Sequence, residues 1–142
     1  MTRRVVIDNS VIMRWFHPSG TAKELKTANQ ILSSLEAGKI IPVAPFILVM
    51  EFINVLHTLS RKGVLKGNIE TAVLLFENLG FEIISIDYNA NLYIQALSDL
   101  CLKYGISAYD AAYLELAGRL NCPLLTLDKD LGKAAFKAGL KG

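Results

Sequence analysis

Four carboxylates stand where an enzyme could use them. "RVVIDNSV" leads β-branched residues into Asp8, and "PLLTLDKDL" leads an apolar run into Asp128, with a second aspartate two residues on. Both acids therefore fall where a strand would end, and in open α/β sheets sites assemble at the carboxyl ends of strands. Asp110, in "GISAYDAAYLELA", follows Ser107 by three residues. That spacing has an ordinary reading, a serine N-cap with an acid in the first helical turn. It is also compatible with a site, because a helix N-terminus above a strand edge would aim the same carboxylate into it.

Glu51 is the only charged residue in "PFILVMEFINVL". A lone carboxylate in such company is costly unless something pairs with it. A salt bridge to Lys or Arg is one answer; a cation shared with other acids is a second. Asn54, three residues later, shares its helical face and could hydrogen-bond beside it.

If Asp8, Glu51, Asp110 and Asp128 converge, repulsion raises some of their pKa values and destabilises the site until a cation neutralises it. With oxygen ligands only, and no Cys or His at matching spacing, Mg²⁺ or Mn²⁺ fits better than Zn²⁺. Such a centre polarises a phosphodiester, helps deprotonate a water and shields the charge that develops during in-line displacement. This is nuclease chemistry.

The elements that must position these acids follow from periodicity. Short apolar runs near Val5 to Asp8, Ile40 to Ala44, Glu82 to Ile86 and Leu124 to Leu127 read as strands buried on both faces. Thr21 and Glu24 form a capping box opening a helix that Gly38 ends, and Pro45 suits the first turn of the helix carrying Glu51. Further helices are expected near Asn68 to Leu79, Asn89 to Tyr104, Ala108 to Leu120 and Asp130 to Lys137. "HPSGT" and "RKGVLKGN" read as loops. Strands separated by helices predict an α/β domain, a parallel sheet covered on both faces.

At 142 residues the chain is expected to form a single domain, residues 1–142, with 52% hydrophobic and 20% charged residues excluding a disordered chain. A net charge of +2 does not by itself imply nucleic acid, so the placement of cations decides. Cys101 and Cys122 match no zinc or redox spacing and read as buried reduced thiols, which suggests a cytoplasmic protein. The start has too few apolar residues for a signal peptide, and the longest apolar run, broken by prolines, is too short to span a bilayer. A soluble protein with no membrane partner is expected.

Together these fragments resemble a PIN domain, and more narrowly the VapC-type toxins of toxin–antitoxin pairs. "VVIDNSVIMRWF" is similar to the family's opening strand, with Asp8 as first acid and Ser10 as the hydroxyl two positions on. "PFILVMEFINVL" matches its helix with a buried glutamate at Glu51. "SAYDAAYLELA" matches, at Asp110, an aspartate followed by two small residues and an aromatic. "LLTLDKDLGKAA" matches the closing threonine and aspartate at Thr126 and Asp128.

The resemblance spans essentially the whole chain. It implies a three-layer α/β/α sandwich with a central parallel sheet of four or five short strands. It also implies a metal-dependent endoribonuclease, with Asp8, Glu51, Asp110 and Asp128 as catalytic acids holding Mg²⁺ or Mn²⁺ and with Ser10 and Thr126 orienting ligands or water. A homodimer and a cognate antitoxin covering the acidic pocket are implied too. Family members often continue past the last helix into another strand, whereas this chain ends at "FKAGLKG", so a trimmed sheet edge is expected.

Lys129, Lys133 and Lys137 recur every four residues just after Asp128, and could hold RNA phosphates beside the metal or form an ordinary solvated face. Arg14 is a weaker phosphate candidate. Trp15 and Phe16 read as core, and His17 and His57 have no catalytic partner in the sequence pattern. Two other readings are carried forward: a PIN fold that binds RNA or protein without hydrolysis, and a phosphoacceptor signalling domain.

Overall fold

The computed structural model describes residues 2–86 and 88–142. Its elements run β1 (Arg3–Ile7), α1 (Asn9–Phe16), α2 (Ala22–Glu36), β2 (Ile40–Pro45), α3 (Ile47–Arg61), α4 (Ile69–Asn78), β3 (Glu82–Ile84), α5 (Ala90–Tyr104), α6 (Ala108–Leu120), β4 (Leu124–Leu125) and α7 (Lys129–Lys137). The four strands form one parallel sheet in the order β3-β2-β1-β4.

That order explains the layers. Right-handed crossovers carry the chain from β1 outward to β2 and β3, then back past β1 to β4, so the helices of the return journey cover the opposite face. Accordingly α1 packs on α2 and α3, and α3 on α4, while α5 and α7 pack on α6. The core lies between. Val5, Val6, Ile7, Val43 and Ala44 of the sheet are fully buried, and α6 adds Ala111, Tyr113, Leu114, Leu116 and Ala117.

The direction reverses between β1 and β4, and such switch points open a crevice at the strand carboxyl ends. β1 ends immediately before Asp8, and β4 just before Thr126 and Asp128. Register places Ile7 opposite Leu125, so the two chain ends leave the sheet side by side.

Several elements depart from the sequence expectation. Residues 9–16, unassigned above, form a helix directly off β1, capped by Asp8, which accepts from the Ser10 N–H at 3.1 Å. Its buried Val11 and Ile12 continue the apolar, β-branched character of the strand, which hides the change of period. Pro45 does not open a helix; it is the last residue of β2, opposite Ile84, and α3 begins two residues later. Pro42 is tolerated within β2 because β3 pairs only from Val43 onward, leaving Pro42 with β1 alone as neighbour.

The third and fourth strands are shorter than expected. Beyond Leu125 side chains replace the ladder: the Leu127 N–H donates to Ser10 Oγ and the Asp128 N–H to Thr126 Oγ1. The tail also differs from expectation, because the outer edge of β4 is not bare. Lys141 forms a parallel bridge with Leu124, whose N–H donates to the Leu140 carbonyl at 2.7 Å.

The capping box at Thr21 and Glu24 is formed, with both of its hydrogen bonds present. Cys122 is buried and Cys101 half-buried, and both are free thiols. Among the described residues no helix is long and apolar enough to cross a membrane.

Candidate active site

Asp8 is only 4% exposed, the one charged side chain among the described residues that is buried. It survives there because three donors face it: the Ser10 N–H at 3.1 Å, Ser10 Oγ at 2.5 Å and Thr126 Oγ1 at 2.6 Å. Each hydroxyl gives its single proton to Asp8 and uses its lone pairs on a backbone N–H, Leu127 for Ser10 and Asp128 for Thr126. The two hydroxyls thus tie the end of β1 to the end of β4 through one carboxylate. Burial still dominates and pushes the Asp8 pKa up to about 6, against the pull of Ser10 and Thr126, with Asp110 adding a smaller repulsion.

Asp110 lies in the first turn of α6, and its N–H donates to the Ser107 cap at 3.1 Å, so this residue does serve the helix start. The same carboxylate is the electrostatic meeting point of the site. Its pKa is pushed up to about 6, first by burial, then by Asp128, Glu51 and Asp130. Asp128 caps α7, accepting from the Leu131 N–H at 2.9 Å, and is exposed.

Glu51 does not form the salt bridge considered above. Its partner is Tyr113, whose hydroxyl donates to Oε1 at 2.5 Å. Burial raises the Glu51 pKa and this hydrogen bond offsets part of the rise. Tyr113 is 1% exposed; burial first, and then the neighbouring carboxylates, push its hydroxyl away from ionisation, so it stays protonated and donates to Glu51.

The four sequence-chosen acids therefore sense one another around Asp110, and among the described residues none makes an ion pair with Lys or Arg. Asn54 is a correction. It is exposed, and no hydrogen bond links its side chain to Glu51 among the described residues; its carbonyl accepts from the Thr58 hydroxyl. Arg14 is placed in the seam between α1 and α2, where its guanidinium meets Glu24 at 3.1 Å. Lys129 and Lys133 lie beside Thr126 on the wall of a cleft.

Two contributors escaped the sequence reading. Tyr113 is the aromatic that ends the D-A-A-Y fragment, and its spacing from Asp110 on a helix was a usable sign of a shared face. Asp130 adds to the charge around Asp110 and was visible only as a second aspartate in "LDKDL".

The donor set fits a hard divalent ion. It consists of carboxylate oxygens without nitrogen or sulfur, and next to Asp8 in the chain Asn9 Oδ1 is a buried acceptor with no partner among the described residues. Among the described residues no three acids already stand close enough to enclose an ion. This does not conflict with Mg²⁺, which usually keeps several waters and takes only one or two carboxylates.

The matching family model, that of the PIN domain, covers residues 5–137. The chain belongs to the PIN domain family. Within it, the chain is 28% identical to Ribonuclease VapC3 of Pyrobaculum aerophilum over 132 residues, 92% of this chain and 93% of that protein. The chain also shares its fold with the crystal structure of PAE2754 from Pyrobaculum aerophilum. TM-score is 0.63 at 16% identity, over 94% of this chain and 87% of the other.

Proposed function

We propose that this PIN-domain protein is a metal-dependent endoribonuclease, the toxin of a toxin–antitoxin pair, acting in the cytoplasm as a homodimer and restrained by a cognate antitoxin. The observation that carries the reading is the setting of Asp110, a half-buried carboxylate surrounded by Asp128, Glu51 and Asp130 with no cation paired to it among the described residues. The similarity to a protein named as a ribonuclease of VapC type supports the substrate class and the partner.

Mg²⁺ or Mn²⁺ would be held among Asp8, Glu51, Asp110 and Asp128, by one or two of these carboxylates directly and by the others through water. When bound, the ion supplies positive charge against the negative charge developing on a phosphodiester and makes a nearby water easier to deprotonate. Ser10 and Thr126 hold Asp8 in one orientation, and Tyr113 does so for Glu51. Lys129 and Lys133 hold RNA phosphates alongside. Exposed apolar side chains on α3 and α4, Met50, Ile53, Leu74 and Leu75 among them, supply surface for a second copy or for the antitoxin to cover.

The test is RNA cleavage by the purified protein with Mn²⁺, with a chelator, and by Asp8→Asn and Asp110→Asn. Loss of cleavage in all three altered conditions is expected; full activity in them refutes the reading. One observation favours an inert binding module, namely that no three of the described acids enclose a common point. Titration calorimetry with Mn²⁺ separates the two, since an inert module gives no heat.

A further inference from the structure

We propose that the cleft beside α7 is the path of the single RNA strand leaving the acidic pocket, its phosphates on four lysines and a base stacked on Phe136. The inference rests on the ribonuclease reading above and deepens it, carrying the strand beyond Lys129 and Lys133 to Lys137, Lys141 and Phe136, which that reading does not use.

The cleft has a volume of about 650 Å³, and its floor is apolar, formed by Leu124 and Leu125 of β4 with Ala135 of α7. Its rim carries Lys129, Lys133, Lys137 and Lys141, and among the described residues no acidic side chain lines it. The first three stand on successive turns of α7, about 6 Å apart along the axis. Lys141 is brought to the same cleft by the bridge that lays the tail against Leu124. A run of four cations with no acidic side chain among the described lining residues suits a chain carrying one anion per repeat.

Thr126 lines the cleft as well, and its hydroxyl donates to Asp8. The acidic pocket and the basic cleft therefore share a wall at Thr126.

Phe136 distinguishes a nucleic acid from an acidic peptide. It is 68% exposed, and Lys141 Nζ lies 5.6 Å from its ring centroid. An exposed phenyl ring beside a lysine offers a base a stacking surface that works for any base. Carboxylate side chains have no planar ring system to place there.

The experiment measures binding of a fluorescein-labelled oligouridylate by anisotropy across a salt series, using the full chain with a chelator so that the probe stays intact. Lys137, Lys141 and Phe136 are all exposed, so their substitution leaves folding intact. Lys137→Ala with Lys141→Ala is expected to weaken binding and to reduce the slope of log affinity against log salt by about 1.4, roughly 0.7 for each phosphate no longer neutralised. Phe136→Ala is expected to weaken binding about tenfold with the salt slope unchanged.

Equal affinity and slope in wild type and variants overturns the cleft, as does absence of wild-type binding or displacement of the probe by polyglutamate at equal charge concentration. Cleavage by the wild type with Mn²⁺ is scored separately. Cleavage together with variant-insensitive binding removes the cleft and keeps the ribonuclease. Variant-sensitive binding without cleavage keeps the cleft and removes the ribonuclease.

Discussion

Phe52 and Glu51 are consecutive on α3, about 100° apart around the helix, and they face two different environments. Phe52 is 2% exposed, edge-on to Phe16 with centroids 5.1 Å apart and stacked on Phe76 at 4.5 Å, with Phe81 continuing the row. Glu51 points to a pocket where its hydrogen-bond donor is Tyr113 and where its charge raises the pKa of Asp110. The aromatic row is apolar throughout and contributes area burial and ring contacts. The acidic pocket combines burial with repulsion, both of which weaken the fold at neutral pH. The same helix supplies stability on one side and chemistry on the other.

The sharpest way to break this comparison is to truncate the two neighbours in turn. Phe52→Ala should cost about 3–5 kcal/mol, read by denaturant unfolding, whereas Glu51→Gln should change stability by less than about 1 kcal/mol. Equal losses would show that both sides of α3 serve the core.

Acidity provides the next test. Asp8 and Asp110 have folded pKa values of about 6 against an ordinary value of 3.8, so the folded state holds more protons than the unfolded state between these limits. Their contribution to stability is complete below about pH 4 and is lost as pH rises through 6. For buried Asp8 the loss is up to about 3 kcal/mol, and Asp110, which is partly exposed, adds a smaller amount because solvent screens it. The melting temperature of the metal-free protein should therefore fall over this window, and a rise would contradict the repulsive pocket.

Asp110→Asn, in chelator near neutral pH, should gain about 1–2 kcal/mol by removing the meeting point of the repulsion, after loss of a favourable helix N-terminal charge. In a chain of this size that is a few degrees in melting temperature. A modest effect is expected from Tyr113→Phe, which keeps the packed ring and removes the donor to Glu51. Its cost should be about 1 kcal/mol, because half-exposed Glu51 can turn to water.

Much of the site was readable because its parts obey local rules. Asp110 follows an N-cap serine, Asp8 and Asp128 follow apolar runs, and Glu51 breaks an apolar helix; each pattern lies within a few residues. The failures share a cause. Asn54 sits at helical spacing from Glu51, yet the donor to Glu51 comes from α6, 62 residues away. For Arg14 the sequence showed only a charge, and it took the fold to bring Glu24 of α2 to it. The helix at 9–16 was hidden because its buried face continues the apolar run of β1, and Pro45 has the same fixed φ at a strand end as in a first helical turn.

By itself the sequence determined the α/β class, the alternation of elements and the identity of the acids, since periodicity, caps and turn residues act over one or two turns of chain. Only the tertiary structure decided which groups meet. Thr126 reaches Asp8 across 118 residues and Tyr113 reaches Glu51 across 62 because β4 returns to the outer side of β1 and carries α6 over the opposite face. Strand order is a property of the whole packed sheet, and through-space repulsion among carboxylates exists only after that order is set.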